Sequence, residues 1–351
     1  MRILVVRLSA LGDLVHALPA VAALRRRFPD AEIDWLVDER FQELVGLVPA
    51  IDRLITLKRS GVGVLSSMWR ATRALRRRRY DVAIDMQGLV KSALAARLSR
   101  PGRVIGFERS QLREPAACWL YTQSVPVAGV THVVEKNLAL VQFLVGEPGA
   151  WEFPITTCPS DALIRTRNVL GLDDGDDFVL LHPGSAWPSK CWETLRYGAL
   201  ATRLWVDHRL RSAVLWGPGE EALAHAVTRA SDGAAAAAPP TGVADLVAHM
   251  RAAAVVVAAD TGPLHLAAAV GTPVVGIYGP SDPGRNGPWS AKDEVVSAGE
   301  ACQCRLNRQG HSSRGVVIRQ CSQSRRCLDE ISVEDVLASV QRRLNLPVAH
   351  G

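Results

Sequence analysis

A short acidic turn, Asp260-Thr261-Gly262, joins the apolar run Val255–Ala258 to a segment of helical spacing, Pro263–Val270, that a proline opens. Backbone N–H groups at a helix start, together with the positive end of its dipole, attract phosphates and carboxylates. The same residues also suit an ordinary Asp or Thr helix cap, and the turn alone leaves both readings open. Three further groups carry possible chemistry. Asp173-Asp174-Gly175-Asp176-Asp177 has the composition of a cation site. It precedes a strand, opposite the end of a parallel sheet where ligands bind, and reads as a solvated turn. Cys302, Cys304, Cys321 and Cys327 invite zinc but lack the paired C-x2-C spacing, so no metal is expected. The run Arg76-Arg77-Arg78-Arg79 completes a basic helix expected over Leu65–Arg79. Solvated charge at a helix C-terminus is the ordinary reading, and attraction to anionic lipid the sharper one.

The acidic turn needs a sheet to hold it. After Gly271-Thr272-Pro273 the chain returns as the apolar strand Val274–Tyr278, which completes a compact right-handed βαβ unit. The rest of the chain alternates in the same way. Strands are expected at Ile3–Val6, Ile33–Val37, Leu54–Leu57, Asp81–Asp85 and Arg103–Gly106. Between and after them come one helix from Leu14 to Arg27, others at Phe41–Leu47 and Leu65–Arg79, one opened by Gln87–Ser92, and His132–Val145. An irregular stretch after Gly146 reads as a linker. Beyond it the spacing predicts strand Phe178–His182, helix Trp192–Trp205, strand Ala213–Trp216 and helix Glu220–Ala230 before the βαβ unit. A final helix, Val333–Leu344, has Ser332 as N-cap and Asp335 three residues on. The expected fold is α/β: two Rossmann-like, doubly wound domains over residues 1–155 and 156–351, facing a cleft.

The 351 residues suit two domains of ordinary size, and 48% apolar content marks a globular chain. No apolar run is long enough to span a membrane, and MRILVVRL begins directly as a strand without a signal-peptide core. A cytoplasmic location is therefore expected. Seven scattered cysteines fit a reducing compartment better than a disulfide framework. Forty-one basic against 35 acidic residues, net +6, suits an anionic ligand or membrane surface and does not by itself imply nucleic acid.

Ordered blocks along both halves resemble the lipopolysaccharide heptosyltransferases of glycosyltransferase family 9, most of all the type I enzymes. These blocks are Ser9-Ala10-Leu11-Gly12-Asp13 with His16, Asp85-Met86-Gln87-Gly88-Leu89-Val90-Lys91-Ser92, Arg113-Glu114-Pro115, and His132 with Glu135. Further on come Lys190 with Trp192, Trp216-Gly217 with Glu220-Glu221, Asp260-Thr261-Gly262 with His265, and Tyr278-Gly279-Pro280-Ser281-Asp282-Pro283. The resemblance implies GT-B architecture. It implies an inverting, metal-independent transfer of heptose from ADP-L-glycero-D-manno-heptose to Kdo of Kdo-lipid A, on the inner face of the inner membrane, with no cofactor.

Such a displacement needs a base for the acceptor hydroxyl and a holder for the departing diphosphate. Through the resemblance, Asp13 is the base and Lys190 the charge on the diphosphate, with plain helix cap and solvated loop lysine as their ordinary roles. Thr261, Gly262, Asp260 and His265 are expected on the same diphosphate, although His265 also suits a core histidine. Glu220 or Glu221 is the candidate for the ribose hydroxyls, and the choice stays open. Ser185 falls where the family has a phosphate-contacting hydroxyl, while Ala186 departs from a second threonine in the type I enzymes. Lys58, Arg59 and Arg113 are candidates for the anionic acceptor, in a basic loop shorter than usual. Three other readings remain: a family 9 enzyme with another sugar or acceptor, a nucleotide-sugar epimerase on this fold, and a non-catalytic nucleotide-binding module.

Overall fold

Near-continuous Val, Ile, Leu and Ala runs, buried on both faces, form the central strands of two parallel sheets, as all-parallel sheets covered by helices require. The computed structural model describes residues 1–58, 61–147, 149–306, 320, 321, 323 and 326–347. The chain divides into two compact units, Met1–Thr156 and Thr157–Gly351.

In the first unit the order is β1 (Arg2–Val6), α1 (Leu11–Val15), α2 (Leu18–Arg27), β2 (Glu32–Asp38), α3 (Gln42–Gly46), β3 (Arg53–Leu57), α4 (Val64–Arg76), β4 (Val82–Asp85), α5 (Val90–Leu98), β5 (Arg103–Phe107), β6 (Gln123–Val125) and α6 (Val133–Val145). The strands lie in the order β3-β2-β1-β4-β5-β6. The register pairs Ile3 with Ile33 and with Val82, so apolar side chains stack across the sheet centre.

The second unit runs α7 (Asp161–Leu170), β7 (Phe178–His182), α8 (Thr194–His208), β8 (Arg211–Val214), α9 (Glu221–Arg229), β9 (Ala235–Ala237), α10 (Val243–Ala252), β10 (Val255–Ala259), α11 (Gly262–Ala269), β11 (Val274–Tyr278), α12 (Pro283–Asn286), β12 (Glu294–Ser297), α13 (Gln303–Leu306) and α14 (Val333–Leu344). Its order, β12-β11-β10-β7-β8-β9, is the same winding read from the other edge. Trp192, Tyr197, Leu204, Val257, Ile277 and Val336 meet in its core.

The doubly wound α/β fold is as expected, with local corrections. The helix expected from Leu14 to Arg27 is two helices, α1 and α2. Pro19 lies in the first turn of α2, where it has no N–H for a continuous ladder. The strand expected at Ala213–Trp216 is β8, two residues earlier. Trp216 has left the sheet, and its Nε1–H donates to the Ala238 carbonyl at 2.7 Å. Trp192 lies before α8 rather than in it, donating Nε1–H to the Ile331 carbonyl at 3.1 Å. The basic helix α4 ends at Arg76, so Arg77–Arg79 follow it. Ser332 caps α14 as expected, accepting from the Asp335 N–H at 3.1 Å.

Candidate active site

In the second unit β7 and β10 are neighbours, and the chain winds outward from them in both directions. Loops leaving the carboxyl ends of two such strands diverge and leave a crevice where ligands bind. The β7 loop carries Gly184, Ser185 and Lys190, and the β10 loop carries Asp260 and Thr261.

Asp260 is the hub of this crevice. Its side chain is only 3% exposed, and the Lys190 ammonium pairs with its Oδ2. Its Oδ1 accepts from His265 Nε2 at 3.1 Å and from the Asn286 amide. Burial alone would raise the pKa of Asp260. The His265 hydrogen bond and the Lys190 charge outweigh it and hold the carboxyl below the usual carboxylate range. Lys190 also lies over the Trp187 ring, 4.7 Å from its centroid, so a dry wall and a carboxylate fix the ammonium on two sides. His265 is buried, but as a partner of Asp260 rather than as an isolated core residue.

Gly262 is the first residue of α11 and Thr261 its N-cap. The simple capping reading does not hold for either side chain in front of it. Thr261 makes no side-chain cap, and its buried Oγ1 has no hydrogen-bond partner in the protein. The Ser281 Oγ, in the loop after β11, is in the same condition. Two buried hydroxyls thus lack protein partners, one at the start of α11 and one in the loop after β11, and a helix start is where anionic oxygens are bound.

The two glutamates separate. Glu220 Oε2 accepts the Gly217 N–H at 2.9 Å, and its carboxylate lies against Gly184, where a Cβ would come within 2.2 Å of it. Glu221 is 62% exposed and faces His225 along α9. Glu220 is thus the one drawn to the β7 loop. Burial lowers the pKa of His182 at the end of β7, against the opposing field of Glu220. Burial, with Glu220 adding to it, raises that of the Cys191 thiol. Ser185 Oγ accepts the Trp187 N–H at 3.3 Å and so shapes the turn that leads to Lys190.

In the first unit Asp13 is the third residue of α1. Its Oδ2 accepts the Ala10 N–H at 3.1 Å and its Oδ1 pairs with Arg7 Nη2 at 2.7 Å. The side chain is 39% exposed. Gln87 clamps the same loop from β4, accepting the Leu8 N–H at 2.6 Å and donating to the Ser9 carbonyl at 3.2 Å. Gln87 and Gly88 in turn donate backbone N–H groups to the buried Asp85, whose pKa burial raises although these bonds oppose it. Lys58 follows β3, with its ammonium 3.7 Å from Glu39. Arg113 is exposed beside Glu114, which accepts the Val90 N–H at the start of α5. Arg59 lies outside the described residues. Lys58 therefore stands at the same carboxyl-end edge of the first sheet as Asp13. The Asp173–Asp177 run is an exposed turn before β7.

Arg7, Gln87, Asn286 and Ser281 were not singled out as site residues. Gln87 and Ser281 stand inside quoted blocks, a signal for position but not for role. Arg7 and Asn286 gave none.

The sequence profile of glycosyltransferase family 9 (heptosyltransferase) matches residues 68–314. The chain is 31% identical to lipopolysaccharide heptosyltransferase 1 of Pseudomonas aeruginosa over 86% of its length and 85% of that protein. It is similar to the solved Escherichia coli heptosyltransferase WaaC with ADP: 28% identity, TM-score 0.70, covering 85% of this chain and 93% of that one. The same enzyme with ADP-2-deoxy-2-fluoro heptose gives 27% identity and TM-score 0.68 over 84% and 93%.

Proposed function

The chain belongs to glycosyltransferase family 9, and from that premise we propose that it transfers heptose from an ADP-heptose donor to Kdo of Kdo-lipid A. The observation that carries the reading is the Lys190–Asp260–His265 cluster set against the start of α11 at the β7/β10 switch point. It supplies a fixed cation, helix-start N–H groups and two unpartnered hydroxyls, which suit a diphosphate. Similarity to a heptosyltransferase solved with ADP and with a fluoro-heptose analogue supports adenine and heptose as the donor's two ends. Glu220 takes the ribose hydroxyls as a two-lone-pair acceptor.

Transfer then needs one proton moved. The acceptor hydroxyl oxygen bonds to the anomeric carbon from the face opposite the diphosphate, and the configuration inverts. The C–O bond to the diphosphate breaks, and the hydroxyl proton passes to Asp13. Lys190 and the α11 N-terminus hold the charge that gathers on the leaving ADP, without a catalytic metal. Residues 1–155 carry the acceptor and 156–351 the donor, with Lys58 and Arg113 serving the anionic Kdo and lipid A phosphates; Arg59, the third candidate, lies outside the described residues.

Two measurements test this. ADP- and UDP-sugars are incubated with and without Kdo-lipid A, and nucleotide release is followed. ADP should appear only from ADP-heptose and only with acceptor; release without acceptor, or from UDP-sugars in preference, overturns the reading. Gly262→Val places a branched side chain at the first turn of α11, where the phosphates should approach. ADP affinity by calorimetry should fall about 100-fold, the loss of one or two charged hydrogen bonds. Unchanged affinity moves the donor site elsewhere.

The membrane is reached through α4. Its outward face carries Leu65, Met68 and Trp69, 81%, 50% and 61% exposed, with Arg73 and Arg76 on the same side. Apolar side chains ringed by arginines on one helix face suit an anionic bilayer surface. No described helix is long and apolar enough to cross a membrane. Leu65→Ser with Trp69→Ser should lower binding to phosphatidylglycerol-containing vesicles at least about tenfold, while transfer to a soluble Kdo acceptor is unchanged. Equal sedimentation of variant and parent rules this face out.

A further inference from the structure

Cys302, Cys304, Cys321 and Cys327 lack paired C-x2-C spacing, and the fold brings all four to the wall of one void. Cys304 Sγ and Cys321 Sγ are 3.9 Å apart. Cys302 and Cys327 are in side-chain hydrogen-bonding contact, and Cys321 interacts with both Cys302 and Cys327. A void of about 10 Å³ is lined by the four cysteines together with Ser189, Pro280 and Arg326, and the same cysteines line a wider pocket of about 260 Å³. The small void is of single-ion size.

From this clustering we propose that Cys302, Cys304, Cys321 and Cys327 form a tetrathiolate site for one thiophilic metal ion, zinc(II) or iron(II), with a structural role. A tetrahedral ion with M–S bonds of about 2.3 Å sets sulfur–sulfur edges of about 3.8 Å, which the Cys304–Cys321 separation already matches. Soft thiolates in a tetrahedral set select zinc or iron over hard cations. As the side chains stand, no group of three or more such ligands among the described residues is set to hold an ion, so binding requires the four sulfurs to close on it. Binding is M²⁺ + 4 Cys–SH → [M(S–Cys)₄]²⁻ + 4 H⁺: four S–H bonds break, four M–S bonds form, the protons leave to solvent, and nothing is oxidised. The Arg326 guanidinium on the void wall offsets part of the resulting charge. It is itself held by the Cys191 carbonyl at 3.3 Å and by Asp329 at 3.1 Å.

The position gives the ion its use. Ser189 on the void wall adjoins Lys190, and Pro280 on the same wall precedes Ser281. Gly279 lies so close to Leu328 and Cys327 that an added Cβ would stand 3.0 Å or less from both. The ion therefore fastens Cys302, Cys304, Cys321 and Cys327 against the loops that carry Lys190 and Ser281. It is structural rather than catalytic, because all four coordination positions are protein thiolates.

The test uses the full chain, purified under reducing conditions and analysed by mass spectrometry for zinc and iron. About one equivalent per chain is expected, and thiolate-to-iron absorption distinguishes coloured iron from colourless zinc. Cys321→Ser should lose the metal and lower Tm, while Cys158→Ser, at an exposed cysteine outside the cluster, should change neither. Should Cys321→Ser fail to fold, cobalt(II) added to the metal-stripped parent keeps the question decidable, since four thiolates give the charge-transfer and d–d bands of a tetrahedral sulfur site. The proposal falls if the parent holds no stoichiometric zinc or iron after anaerobic reconstitution. It falls equally if Cys321→Ser keeps a full equivalent, if the cobalt spectrum lacks tetrahedral thiolate bands, or if Cys304 and Cys321 are isolated as a disulfide in metal-free protein.

Discussion

Replacing Asp13 by Asn is expected to lower kcat by about 10²–10⁴ with ADP binding almost unchanged. The amide keeps the size of the carboxylate and accepts the Ala10 N–H, so α1 should still start where it does. What it loses is the capacity to take a proton from the acceptor hydroxyl. Part of the effect comes from the pairing with Arg7, which at 2.7 Å holds the carboxylate at one orientation. An amide oxygen pairs more weakly with that guanidinium. Steady-state transfer and ADP calorimetry on the same folded sample decide the matter. Turnover within a few-fold of the parent removes Asp13 from the chemistry.

Lys190→Ala should cost kcat/KM about 10²–10³, because the ammonium serves bound donor and departing ADP alike. It also has a stability signature that a surface lysine would lack. Asp260 has its pKa depressed in the folded chain, so the stabilisation linked to it is fully present above the ordinary carboxylate pKa of about 4. That stabilisation disappears as pH falls through the lower folded value. Without Lys190 the carboxylate is still buried but has lost one of its counter-charges. The variant should be less stable by about 3 kcal/mol at pH 7, and the gap should shrink below about pH 4 as Asp260 takes up a proton. Urea unfolding at both pH values measures it. A gap that stays constant with pH places the ammonium away from Asp260 in solution.

Much of the scaffold was legible because parallel strands announce themselves as short runs of buried aliphatics: Phe178–His182 and Val274–Tyr278 were read to the residue. The edge strands β6, Gln-Ser-Val, and β12, Glu-Val-Val-Ser, were not read, since an edge carries polar residues and only a few hydrogen bonds. Helices α7 and α10 were also missed, although Ser160 caps α7 by accepting from the Leu163 N–H. Lys190 and Asp260 were each legible by local position, but not their pairing across 70 residues of sequence, which only the β7–β10 adjacency creates. Glu220 and Glu221 differ by one position, and where α9 starts decides the matter: Glu220 precedes the helix and turns toward Gly184, while Glu221 is its first residue and is exposed. Linear spacing could not show that Cys304 and Cys321, 17 positions apart, bring their sulfurs to 3.9 Å.

The identical winding of the two sheets bears on how such an enzyme diversifies. Each half has its own strand order, its own core and its own loop-bearing edge, and the division falls at Thr156–Thr157. Mutations that retune one loop edge need not disturb packing in the other half, so the two recognition tasks are free to drift at different rates. A lineage adopting a new acceptor can keep an inherited nucleotide-sugar pocket intact. Hybrids joined at residue 156 from two relatives are the natural recombinants of this architecture, and under the proposed division of acceptor and donor the parent of each half should dictate which substrate is accepted.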